Sequence, residues 1–95
     1  MSKPGNSPYT IEYLEKVTKH DIPDLPHSVR PLIKRAIENR LTIDPIGFGK
    51  PLRYSLKGHR RIRISDYRVI YRIDVTLHMV IIVAIKHRKK IYDDA

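Results

Sequence analysis

Apolar residues recur every third or fourth position between Val29 and Leu41, and every second position from Leu52 onward. That change of period divides the chain into a helical part and a sheet part. In the first part Val29, Leu32, Ile33, Ala36, Ile37 and Leu41 form one stripe, with Arg30, Lys34, Arg35 and Glu38 off it. This is the pattern of a helix with one buried side. Pro31 fits only in its first turn. In the second part, residues 52–57 read as a strand and Gly58-His59 as a turn. Residues 60–64 read as a strand in which Ile62 and Ile64 alternate with Arg61 and Arg63, followed by a turn at Ser65-Asp66. Residues 67–74 read as a strand with Tyr67, Val69, Tyr71 and Ile73 on one face and Arg68, Ile70 and Arg72 on the other. Residues 78–85 are nearly all apolar, as expected of a central strand covered on both faces.

Ahead of the helix, Tyr9, Ile11 and Tyr13 alternate with Thr10 and Glu12 and predict a first strand. Residues 15–21 predict a short helix, limited by Pro23 and Pro26. Residues 42–50 contain Asp44-Pro45 and Gly47-Phe48-Gly49 and read as a loop. The expected fold class is α+β. An N-terminal strand and a two-helix hairpin pack on one face of an antiparallel sheet of about four strands. Residues 1–95 make one domain, with residues 1–7 expected to be a disordered tail. The other sheet face stays free. It carries Arg61 and Arg63 from one strand and Arg68 from the next, and the tail after the last strand can fold over it.

The charge is placed to match. Residues 1–49 hold seven Lys/Arg against six Asp/Glu, whereas residues 50–95 hold twelve against four, within a formal net charge of +9. Seven of those twelve cations are arginines, the residue suited to bidentate phosphate contact. A polyanionic partner is the reading. The absence of cysteine rules out disulfides and thiolate metal sites. His20, His27 and His78 have no metal-ligand spacing, so neither metal nor cofactor is expected. No signal-peptide pattern opens the chain, and the longest apolar run, residues 79–85, is too short to cross a bilayer. A soluble cytoplasmic protein without membrane contact is expected.

Several runs together resemble the RelE family of the RelE/ParE toxin superfamily. They are Gly49-Lys50-Pro51-Leu52, Ser55-Leu56-Lys57-Gly58, Arg60-Arg61-Ile62-Arg63-Ile64-Ser65-Asp66-Tyr67-Arg68-Val69-Ile70-Tyr71, and Ile85-Lys86-His87-Arg88 with Tyr92. The resemblance covers most of the chain from Tyr9. It implies a toxin of a type II toxin–antitoxin pair that enters the ribosomal A site, cleaves the messenger there and is held inactive by a RelB-like antitoxin. It also implies an active site of Arg61, Arg63, Arg68, Arg88 and Tyr92, with His87 where some relatives use a histidine. Relatives often carry lysine where this chain has Arg61 and Arg63.

Those residue types suit metal-free RNA cleavage, in which the 2′-hydroxyl attacks the neighbouring phosphate. Arginines can grip the phosphate and stabilise the charge that builds on it. His87 is the natural proton-transfer group, and Tyr92 can donate a proton or stack on a base. Lys50, Arg53, Lys57, Arg60, Lys86, Lys89 and Lys90 are the expected RNA-binding cations. Against this, alternating arginines on a strand also suit a plain solvated face, and Tyr67 and Tyr71 suit sheet packing. Two other functions remain open at this point: a ParE-like inhibitor of DNA gyrase, and a catalytically silent module that binds nucleic acid or antitoxin.

Overall fold

The computed structural model describes residues 7–90. Five strands form one sheet: β1 (Thr10–Tyr13), β2 (Lys50–Pro51), β3 (Arg60–Ile64), β4 (Tyr67–Asp74) and β5 (Met79–His87), in the spatial order β1-β5-β4-β3-β2. The α+β class and the helices on one face are as the residue pattern predicts. The sheet is mixed rather than antiparallel, because β1 runs parallel to β5, from Thr10 opposite Met79 to Tyr13 opposite Ile82. Alternation marks which residues face inward but carries no information on strand direction, so it could not distinguish the two.

After β1 a single wide helical turn, Val17–Asp21, packs back on the sheet. α1 (Arg30–Ala36) follows, with Pro31 in its first turn, where a missing N–H costs nothing. It continues as a wider turn through Ile37–Leu41. Ile33, Ala36, Ile37 and Leu41 are buried as the stripe requires, while Leu32 at its margin stays half exposed. They meet Ile62, Ile64, Val69, Tyr71, Val80, Ile82 and Ile85 from the sheet. Each fully buried aliphatic side chain contributes about 1.5–3 kcal/mol.

Two expectations change. The predicted loop at residues 42–50 contains a short helix, α2 (Pro45–Phe48). Asp44 caps it by accepting the Gly47 N–H at 2.9 Å, and Pro45 fits its first turn. The predicted strand at residues 52–57 is not a strand. Only Lys50 and Pro51 pair with β3, and the chain then turns tightly through Tyr54–Leu56 before the Leu52 N–H closes on the His59 carbonyl at 2.9 Å. Pro51 has no N–H to extend a ladder, which suits it to a short edge strand.

Along β4 and β5 the register slips by one between Ile70 and Tyr71, leaving Val83 as the extra residue of a bulge in β5. The bulge lets Ile82 and Ile85, three apart, both face the helices. Ile81, on the other face opposite Arg72, is buried as well. Ala84 and Lys86 on that face are only half-buried, so β5 is fully covered on the helix side and partly on the other. Among the described residues no helix is long and apolar enough to cross a membrane.

Candidate nucleic-acid interface

Strand register places the basic residues. Residues directly opposed across an antiparallel pair share a face. Arg63 is opposite Arg68, and Arg68 is opposite Lys86, so three cations form one row across β3, β4 and β5. The next row on the same face is Lys50, Arg61, Ile70 and Ala84. Arg72 lies further along this face, exposed, four residues from Arg68. The helices occupy the opposite face, so the cationic rows lie outside the main core. Arg88 follows β5 and is exposed. Its N–H donates to the Asp66 carbonyl at 2.8 Å, and its Nε lies 3.9 Å from Asp66 Oδ1, which fixes it beside the β3–β4 turn at the end of the Arg63 row.

Like charges directly opposite each other destabilise a sheet by roughly 0.2–1 kcal/mol per pair. Burial, and then the charges of Arg61 and Arg63, hold the Arg68 pKa below the ordinary arginine value. Such a row gains stability when an anion lies across it. A phosphate suits it, because arginine forks bind its oxygens in pairs.

One carboxylate adjoins the row. Asp21, from the helical turn after β1, is buried beside β5 where β1 has ended. Its Oδ2 accepts the Ile85 N–H at 2.9 Å, so the side chain stands in for a missing strand. Oδ1 lies 3.2 Å from Lys86 Nζ, and Oδ2 lies 3.4 Å from Lys16 Nζ. Burial works to raise the Asp21 pKa, but the Ile85 N–H and the two lysines outweigh it and hold the carboxyl below its usual range. Asp21 thereby fixes the half-exposed Lys86 in the row. The sequence reading missed it, since nothing local connects Asp21 to residues sixty-odd positions later. It also missed Arg72 as a site residue, although the alternation with Arg68 carried that signal.

The remaining candidates divide. Arg60 is opposite Tyr71, on the helix face, and its Nη2 donates to the Ile46 and Gly49 carbonyls at 2.8 and 3.1 Å. It holds the α2 loop in place. His87 is opposite Tyr67, also on the helix face, and their rings meet edge to face with centroids 5.2 Å apart. The Lys89 N–H donates to His87 Nδ1 at 3.2 Å. His87 and Arg60 are therefore not brought together with Arg61, Arg63 and Arg68. Arg53 and Lys57 are exposed in the β2–β3 connection, and Lys89 is exposed after β5. Lys90 ends the described backbone, and Tyr92 lies outside the described residues. Among the described residues no cluster of His, Asp and Glu could hold a metal ion. Chemically, the face can bind and polarise a phosphodiester.

Comparison with known proteins identifies the family and the fold. Residues 11–92 match the family model described as the ParE toxin of the type II toxin–antitoxin system parDE. Toxin RelG of Mycobacterium tuberculosis is 33% identical over 85 residues, which span 90% of this chain and 97% of that one. The crystal structure of the RelBE2 toxin–antitoxin complex of M. tuberculosis contains a chain that superposes with a TM-score of 0.80 at 32% identity, covering 86% of this chain and 93% of that one. The isolated RelE toxin of E. coli shares the fold, with a TM-score of 0.68 at 20% identity over 83% of each chain.

Proposed function

The chain belongs to the ParE toxin family of type II toxin–antitoxin systems, within the RelE/ParE superfamily, and on that premise we propose that it is a metal-independent endoribonuclease that cuts messenger RNA in the ribosomal A site and so arrests translation in the cytoplasm. The observation that carries this reading is the transverse row of Arg63, Arg68 and Lys86. Three cations held side by side on rigid strands match the charge that builds on a phosphodiester under attack. In the reaction the 2′ oxygen bonds to phosphorus as the bond to the 5′ oxygen breaks. The 2′ proton leaves to a base, and the 5′ oxygen receives a proton. Arg61, Arg63 and Arg68 grip the non-bridging oxygens, and Arg88 closes the end of the row. Tyr92 is the proton-transfer candidate, and His87, expected for that role, lies on the helix face and contributes little to the chemistry. Lys50, Arg53, Lys57, Lys86, Lys89 and Lys90 extend the RNA track. The partner in the cell is an antitoxin, as the RelBE2 complex supports for its relative. Acidic residues on it would meet the basic face.

Because the matching family model is that of a ParE toxin, we keep one second reading, a ParE-like inhibition of DNA gyrase. One experiment separates the two. Purified protein is added to programmed ribosomes while 5′ ends are mapped on the message, and gyrase supercoiling is assayed in parallel. Codon-phased cuts that fall by about 10²–10³-fold in Arg68→Ala support the nuclease, that being the usual loss for one transition-state donor. Trapped or inhibited gyrase with an intact message supports the second reading and overturns the first.

A further inference from the structure

Residues 45–65 contain Lys50, Arg53, Lys57, Arg60, Arg61 and Arg63 and no Asp or Glu. Within this run stands Tyr54, whose side chain is 75% exposed and whose backbone has φ of 57°. Both properties are unfavourable for a tyrosine. A positive φ suits glycine or asparagine, and an aromatic ring in water loses its burial energy. Among the described residues the other non-glycine residues with positive φ, Ser65 and His78, lie in the short β3–β4 and β4–β5 turns, where hairpins favour that backbone. Tyr54 instead stands within the longer β2–β3 connection. Its conformation is held by the Leu56 N–H to Arg53 carbonyl bond at 3.1 Å and the Lys57 N–H to Tyr54 carbonyl bond at 3.0 Å. Leu52 just before it is buried, which anchors the turn to the sheet. Strain that the surroundings enforce is a pointer to function.

We propose that Tyr54 is a stacking platform for an unpaired nucleobase, flanked by Arg53 and Lys57 as phosphate contacts. The inference rests on the RNA-binding reading above and adds a base-binding subsite to it. The turn lies just beyond the Lys50–Arg61 pair, about 13 Å along β3 from Arg63 at the usual strand rise. A single strand held at the Arg63–Arg68–Lys86 row and running along β3 therefore reaches Tyr54 a few nucleotides from the scissile phosphate. Cations that follow the backbone, interleaved with an aromatic ring, are the usual means of holding single-stranded nucleic acid. The absence of Asp and Glu from residues 45–65 suits a polyanionic ligand.

The test uses a single-stranded oligoribonucleotide that is 2′-O-methylated throughout, so that it can bind but not be cut. The chain has no tryptophan, so Tyr54→Trp supplies a unique fluorophore. Its emission should be quenched as RNA saturates the protein. Tyr54→Phe should bind within about twofold of wild type. Tyr54→Ala should bind about 5- to 150-fold more weakly, with an unchanged urea midpoint and an unchanged dependence of affinity on salt, because stacking releases no counterions. Arg63→Ala should instead lower the salt slope by about 0.7. Wild-type affinity in Tyr54→Ala, or indole emission in Tyr54→Trp that ignores RNA, overturns the subsite while the RNA-binding reading stands. Indole emission that responds only to antitoxin also overturns it and makes the turn a protein contact. If wild type shows no salt-dependent binding of this RNA, the subsite is overturned, while the A-site reading stands or falls on the ribosome assay alone.

Discussion

Replacing Asp21 tests how the basic face is held to the rest of the fold. In Asp21→Ala the Ile85 N–H loses its acceptor beside a buried strand, and Lys86 and Lys16 lose their counter-charge. A hydrogen bond to a charged group contributes about 1.5–3 kcal/mol. The lysines are roughly half exposed, so solvent screens their pairs and together they add no more than about 1 kcal/mol. A total loss of about 2–4 kcal/mol follows, a large part of the stability of a domain this small. It should appear as a fall in melting temperature of roughly 10–25 °C and a lower urea midpoint. Asp21→Asn keeps an acceptor for Ile85 but not the charge, so it should lose about 1 kcal/mol. The pH dependence separates charge from packing. Because the folded state lowers the Asp21 pKa, its charge stabilises the protein above the unfolded carboxyl pKa of about 3.9, and that stabilisation is lost as pH falls through the folded value. The gap between wild type and Asp21→Asn should be full at pH 7 and close in strong acid. A constant gap across that range, or an Asp21→Ala loss below about 0.5 kcal/mol, would refute the proposed role of the carboxylate.

Other consequences can be checked separately. His87→Ala should reduce messenger cleavage by less than about tenfold, far less than Arg68→Ala, because register puts His87 on the helix face; equal losses in a single-turnover assay would contradict that placement. Gly49→Ala should cost about 1–3 kcal/mol in urea unfolding, because an added Cβ would lie 1.8 Å from the Tyr71 hydroxyl and 3.0 Å from the Arg61 carbonyl. Tyr71→Phe should cost about 1 kcal/mol by leaving the Pro45 carbonyl without the buried hydroxyl that it accepts from, again read as a shift in urea midpoint.

Much of the architecture was legible in residue order alone. The stripe from Val29 to Leu41, the alternation of Ile62 and Ile64 with Arg61 and Arg63, and the apolar run that became β5 each specify an element, because side-chain direction repeats with a fixed period in helix and strand. The same alternation placed Arg61, Arg63 and Arg68 on the face away from the helices. Periodicity describes one segment at a time, however, and relations between segments lie beyond it. The parallel pairing of β1 with β5, the bulge at Val83, the alignment of Arg63, Arg68 and Lys86 in one row, and the turning of His87 to the opposite face depend on register between strands. Register is set when the whole core packs. Asp21 meets Ile85 and Lys86 only because β1 ends early and leaves an N–H of β5 exposed at the sheet edge, a circumstance that no local pattern encodes.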